Sequence, residues 1–139
     1  MIREINYSDI TAINNIGLQI KDNFEEIYKI NEFIQNEYAR IYVFELDNKV
    51  IGFIQIEEHY EITDIINIAV DKEYQNKGIG EMLITYLFST TSAEKVLLEV
   101  KESNNSAIHL YTKCGFKEIN RRKKYYGTDD AIIMERSLV

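Results

Sequence analysis

Proline and tryptophan are absent from this chain, and cysteine occurs once, at position 114. A lone cysteine forms no internal disulfide, so a reducing cytoplasm is the expected compartment. Histidine is nearly as scarce: His59 and His109 stand apart, and with Cys114 they make no metal-ligand signature. No apolar run nears the length that crosses a membrane. The N-terminus carries Arg3, Glu4 and Asp9 where a secretory leader needs an apolar stretch, so no leader is expected. Basic charge is short as well: 16 Lys and Arg against 23 Asp and Glu leave a net charge of −7. That balance argues against non-specific nucleic-acid binding and suits a cationic partner such as an amine. What is present suffices for a core. With 139 residues, 45% of them hydrophobic, the expectation is one domain, 1–139, folded without staples.

Periodicity divides the chain into elements. Residues 2–6 read as a strand, and Ser8 and Asp9 cap a helix over 10–21 with Ile10, Ile13, Ile16 and Ile20 on one face. A looser helix is expected over 24–37. Residues 41–46 and 50–57 form a hairpin about Asp47 and Asn48, and 62–70 is the next strand. A helix, a strand over 96–100, a helix over 105–113 closed by Gly115, and strands over 116–126 and 130–138 complete the order. Hairpins mixed with helical crossovers predict a mixed sheet with helices on both faces.

Residues 66–88 organise the rest. Ile65, Ile66, Ile68, Ala69 and Val70 belong to a buried strand, 71–77 is polar, and Ile79, Leu83, Tyr86 and Leu87 recur at helical spacing. A strand feeding a glycine-bearing turn into a helix leaves unpaired N–H groups at the positive end of the helix dipole, which is an anion site. Gly78 and Gly80 let backbone approach a ligand closely, and Lys77 adds a cation. A phosphate or diphosphate is the expected anion. The dinucleotide fingerprint fails, because Leu83 stands where its third glycine belongs; the Gly-Lys-Ser/Thr of the P-loop is missing too.

What remains is Gln75-x-x-Gly78-x-Gly80 after an Ile68-Ala69-Val70 strand end. This resembles the acetyl-CoA loop of the GNAT superfamily of N-acetyltransferases. Downstream stand Leu98-Glu99-Val100, Ser103-Asn104, Ala107-Ile108-x-Leu110-Tyr111, Gly115-Phe116, Arg122-x-x-Tyr125-Tyr126 and Asp130-Ala131-Ile132-Ile133-Met134. Over residues 66–134 the pattern is similar to the RimI family, which acetylates the N-terminal alanine of a ribosomal protein. The resemblance implies the GNAT fold, an α/β (α+β) architecture with a central, mostly antiparallel sheet of about seven strands. It implies acetyl-CoA as co-substrate, held by Gln75, Asn76, Lys77, Gly78, Ile79, Gly80 and Glu81. The backbone of Ile68, Ala69 and Val70 and the amide of Asn104 are expected along the pantetheine arm. Glu99 is the implied general base and Tyr111 the implied general acid to the departing thiolate. No metal is implied.

Each residue also has a plainer role. Glu99 at a strand end suits an ion pair with Lys101 or a helix residue. Tyr111 at its spacing suits core packing, and Asn104 suits a helix cap, compatibly with pantetheine binding. Cys114 lies on an apolar helix face with no histidine beside it. The basic run Arg121 to Lys124 alternates across a strand and forms no single patch. Tyr125 and Tyr126 either wall the acceptor cleft, as in the family, or pack. The acceptor is a protein N-terminus by resemblance; a small amine such as a polyamine, amino sugar or antibiotic is the alternative, and a non-catalytic acyl-CoA-binding domain a third.

Overall fold

The computed structural model describes residues 1–139, the side chain of Tyr126 excepted. Seven strands form one sheet: β1 (Ile2–Glu4), β2 (Ala39–Leu46), β3 (Lys49–His59), β4 (Ile62–Val70), β5 (Lys95–Lys101), β6 (Lys117–Tyr126) and β7 (Asp129–Ser137). Their spatial order is β1-β2-β3-β4-β5-β7-β6. All neighbours are antiparallel except β4 and β5. A helix, α4 (Ile79–Thr90), crosses over between those two, as a parallel pair requires. Helices α1 (Ile10–Leu18), α2 (Phe24–Tyr28) and α3 (Ile30–Phe33) precede β2, and α5 (Asn105–Lys113) follows β5.

The sheet divides the core in two. Ile13, Ile16, Phe24 and Ile30 pack on one face against Ile41, Val43, Phe53 and Ala69. Leu83, Ile84, Leu87 and Tyr111 pack on the other against Ile54, Ile56, Val96 and Leu98. The mixed, mostly antiparallel sheet with helices on both faces is the architecture expected from sequence.

Helix boundaries depart from expectation before β2. Asp9 does not cap α1 with its side chain. Its carboxylate accepts from Arg3 Nη1 at 2.8 Å, Arg3 Nη2 at 3.0 Å and the Asn6 N–H at 2.7 Å, tying β1 to the turn before α1. The Arg3 guanidinium therefore holds the Asp9 carboxyl below its ordinary range. Helix α1 ends at Leu18, and Ile20 is 54% exposed rather than on the buried face. The helix expected over 24–37 is two short ones, broken at Lys29, whose φ is +42°. Asp47 and Asn48 have φ of 51° and 63°, as a two-residue hairpin turn demands.

Candidate active site

Strands β4 and β5 pair only from Ile62 with Lys95 to Ile65 with Leu98. Beyond those residues β5 stays on β7 as far as Lys101, while β4 stays on β3 as far as Val70. The two strands part and leave a wedge open at their C-terminal ends. The parting coincides with a bulge. Gln55 pairs with Asn67 but Ile56 pairs with Ile65, so Ile66 is the extra residue of β4.

The bulge resets the alternation of β4. Ile65 and Ile68, three apart, both pack toward α4, whereas Ala69 packs toward α1. Backbone direction follows the same rule. The Asp71 N–H donates to Ile51 on β3 at 2.8 Å, so the N–H groups of Ala69 and Asn67 point toward β3 and those of Ile68 and Val70 point into the wedge. Ala69, expected among the ligand contacts, is turned away from the wedge. The Val70 carbonyl is taken by Gln75, whose Nε2 donates to it at 3.1 Å. Gln75 thus fastens the loop to the strand end.

The loop after β4 carries the turn expected to hold an anion. Asn76 and Gly78 have φ of 62° and 80°, and a left-handed Gly78 opens α4 with no side-chain cap on its first N–H groups. Gly78 is needed for its φ, since a Cβ there meets nothing within 4 Å. At Gly80 a Cβ would lie 3.2 Å from Leu110 Cδ2, so α5 packs closely over the turn. Ile79 anchors the turn in the core. Lys77 and Lys49 both stand over the Tyr74 ring, at 6.0 and 5.6 Å from its centroid. Lys49, on the far hairpin, was not legible as part of this loop. Glu81, in the first turn of α4, is paired with Lys113 of α5 at 3.0 Å, which tempers its charge beside the anion site. An open groove of about 600 Å³ runs along α4 from Gly78 and Glu81 to Ser89 and Ile2, and neither Glu99 nor Tyr111 lines it.

Glu99 and Tyr111 belong to opposite faces of the sheet. Along β5 the side chains of Val96, Leu98 and Val100 are buried toward α4, so Glu99 projects from the α1 face. It forms an ion pair with Arg122 of β6, Nη1 to Oε1 3.3 Å. Arg122 also lies over the Tyr125 ring, 5.4 Å from its centroid. Tyr111 sits among the α4-side core at 8% exposure, edge-on to Phe116 at 5.8 Å. Burial pushes its phenol up to about 12, and Cys114 adds to the push. Cys114 is half-buried, and burial, then Glu81, raises its thiol. Asn104 caps α5, its Oδ1 accepting the Ala107 N–H at 3.3 Å. Elsewhere in the basic run Arg121 bonds Glu118, Glu102 and Asp130, Lys123 pairs with Asp130 at 3.5 Å, and the Lys124 N–H donates to Asp130 Oδ1 at 2.8 Å.

A glycine turn with uncapped N–H groups, a wedge with two inward N–H groups, a carboxylate on one face of the sheet and a phenol on the other suit acyl transfer from a phosphorylated thioester. Residues 8–116 match the acetyltransferase (GNAT) family. The chain belongs to the GNAT family. It is an N-acetyltransferase, and the family's co-substrate is acetyl-CoA. The chain is 36% identical over 111 residues to the [ribosomal protein bS18]-alanine N-acetyltransferase of Escherichia coli, covering 73% of this chain and 75% of that one. It is 30% identical over 155 residues to an N-alpha-acetyltransferase of Sulfurisphaera tokodaii, covering 99% and 92%. Among solved structures, the ribosomal-protein-S18-alanine N-acetyltransferase from Escherichia coli matches with a TM-score of 0.87 at 29% identity, over 99% of this chain and 93% of that one. The GNAT fold expected from the sequence is therefore the fold observed.

Proposed function

We propose that this enzyme transfers acetyl from acetyl-CoA directly to the α-amino group of a protein N-terminus, in a ternary complex. The splayed β4–β5 wedge, with its two inward N–H groups, carries the reading, and Glu99 and Tyr111 are assigned the proton-handling roles on its two sides. In this reading 76–81 grips the diphosphate, Lys77 assisting, and Gln75 keeps the loop on the strand. Asn104 caps α5 with Oδ1 and offers Nδ2 to the pantetheine arm. The Ile68 and Val70 N–H groups face the thioester carbonyl and stabilise the oxyanion that forms there, a contact of about 3 kcal/mol.

The acceptor arrives on the α1 face as an ammonium of pKa about 8. Glu99 takes its proton, directly or through water, and the neutral amine attacks the carbonyl carbon. The tetrahedral intermediate then collapses, breaking the C–S bond, and the second amine proton passes through solvent to the departing sulfur, giving the neutral amide and free CoA thiol. Tyr111 meets the departing thiolate with a hydrogen bond. Its raised pKa keeps it a donor at every working pH, so it stabilises the thiolate (ordinary pKa about 8.5) more than it protonates it outright. Residues 1–139 act as one N-acetyltransferase domain in the cytoplasm, where a reduced Cys114 is expected.

The names of the relatives support a protein N-terminus, including that of a ribosomal protein, as acceptor. Release of free thiol from acetyl-CoA tests it. A peptide beginning with alanine is expected to outpace spermidine; the reverse order moves the acceptor to small amines. Binding of CoA with no turnover on either overturns the enzyme reading.

A further inference from the structure

Between Val50 and Ile56 the one polar side chain of β3 is Gln55, and it is 1% exposed. A buried carboxamide is costly unless hydrogen-bonded, whereas a pair of apolar residues in its place is near neutral or stabilising. Polarity here therefore calls for a reason other than stability. Its partner is Asn67, whose Nδ2 donates to Gln55 Oε1 at 2.8 Å. The two stand opposite each other at the last position before the register shifts.

The alternative register shows what the bond prevents. Ile56 faces Ile65, so an unbroken ladder would set Gln55 opposite Ile66 and Asn67 opposite Ile54. Gln55 would then be buried with an apolar partner, and Asn67 would enter the α4-side core that holds Ile54. The Ile68 and Val70 N–H groups would turn from the wedge into the β3 ladder. Only the bulged register joins the two carboxamides.

We propose that the Gln55–Asn67 hydrogen bond is a register clamp that holds the β4 bulge and so aims the Ile68 and Val70 N–H groups at the thioester carbonyl. Gln55 and Asn67 are positioning residues. The inference rests on the carbonyl role given above to those N–H groups.

The test uses acetyl-CoA carrying 13C at its carbonyl, bound to the full chain. In the wild type the carbonyl resonance lies downfield of free acetyl-CoA. In the Gln55→Leu/Asn67→Leu double variant, Tm is unchanged or higher, the resonance returns toward the free value and kcat falls at least about tenfold. CoA affinity holds within about threefold, because the diphosphate turn is untouched. Asn67→Ala, which empties the site rather than fills it, is measured in parallel and moves the resonance the same way. A downfield shift retained by both variants overturns the clamp alone. No shift in the wild type overturns the carbonyl role, and the clamp with it.

Discussion

Tyr111 is a core side chain and, in the proposed mechanism, the donor to the departing thiolate, and the two duties separate by substitution. Tyr111→Phe keeps the ring against Phe116 and removes the hydroxyl; kcat is expected to fall about 10²-fold with little change in Tm. Tyr111→Ala also empties the core, at about 3–5 kcal/mol of stability. The raised phenol pKa sets a pH window as well. Below pH 10 the phenol is protonated in both folded and unfolded chains and its burial adds no pH dependence. Between pH 10 and about 12 the unfolded chain ionises while the folded one does not, so stability falls, by about 3 kcal/mol across the window. Denaturant titrations at pH 8, 10 and 11 measure that slope, and Tyr111→Phe lessens it. For Glu99→Gln, kcat is expected to drop about 10²–10⁴-fold. Calorimetry should find acetyl-CoA affinity unchanged. Both residues were legible through a family pattern, because each sits in a local motif. The pairing of Arg122 with Glu99, the place of Lys49 and the Gln55–Asn67 pair were not, since a cross-strand partner depends on a register that sequence alone leaves open.

Elements with strong punctuation were read closely. Strand β4 and helix α5 begin and end where apolar period, cap and glycine put them. The α2–α3 break was hidden, because nothing local marks a lysine for positive φ. Helix packing here is tight enough to predict from. A Cβ at Gly17 would lie 2.4 Å from the Phe24 ring, so Gly17→Ala forces α1 from α2; thermal melts should show a loss of about 1–3 kcal/mol. At the α4 start, Gly78→Ala meets no atom but must hold a φ of +80°. Its expected cost is about 1 kcal/mol of stability, with weaker acetyl-CoA binding by calorimetry.

At the scale of the whole molecule, a mixed sheet with helices on both faces followed from the order of elements. The insertion of β7 between β5 and β6 did not, because a terminal hairpin can dock on a sheet by either strand. The net charge of −7 acts at this scale too. It favours encounter with a basic acceptor, so kcat/KM for a lysine-rich N-terminal peptide should fall as salt rises from about 0.01 to 0.3 M, while that for a neutral peptide holds.

The four-residue ladder between β4 and β5 has a mechanical consequence. Above it the molecule is two blades joined at a short seam, one built on β1 to β4 and the other on β5 to β7. Whatever occupies the gap is also a brace, completing from outside the backbone bonding that the fold leaves undone. Amide exchange at 66–70 and 99–101 should therefore slow together when acetyl-CoA binds, and quicken together when product leaves.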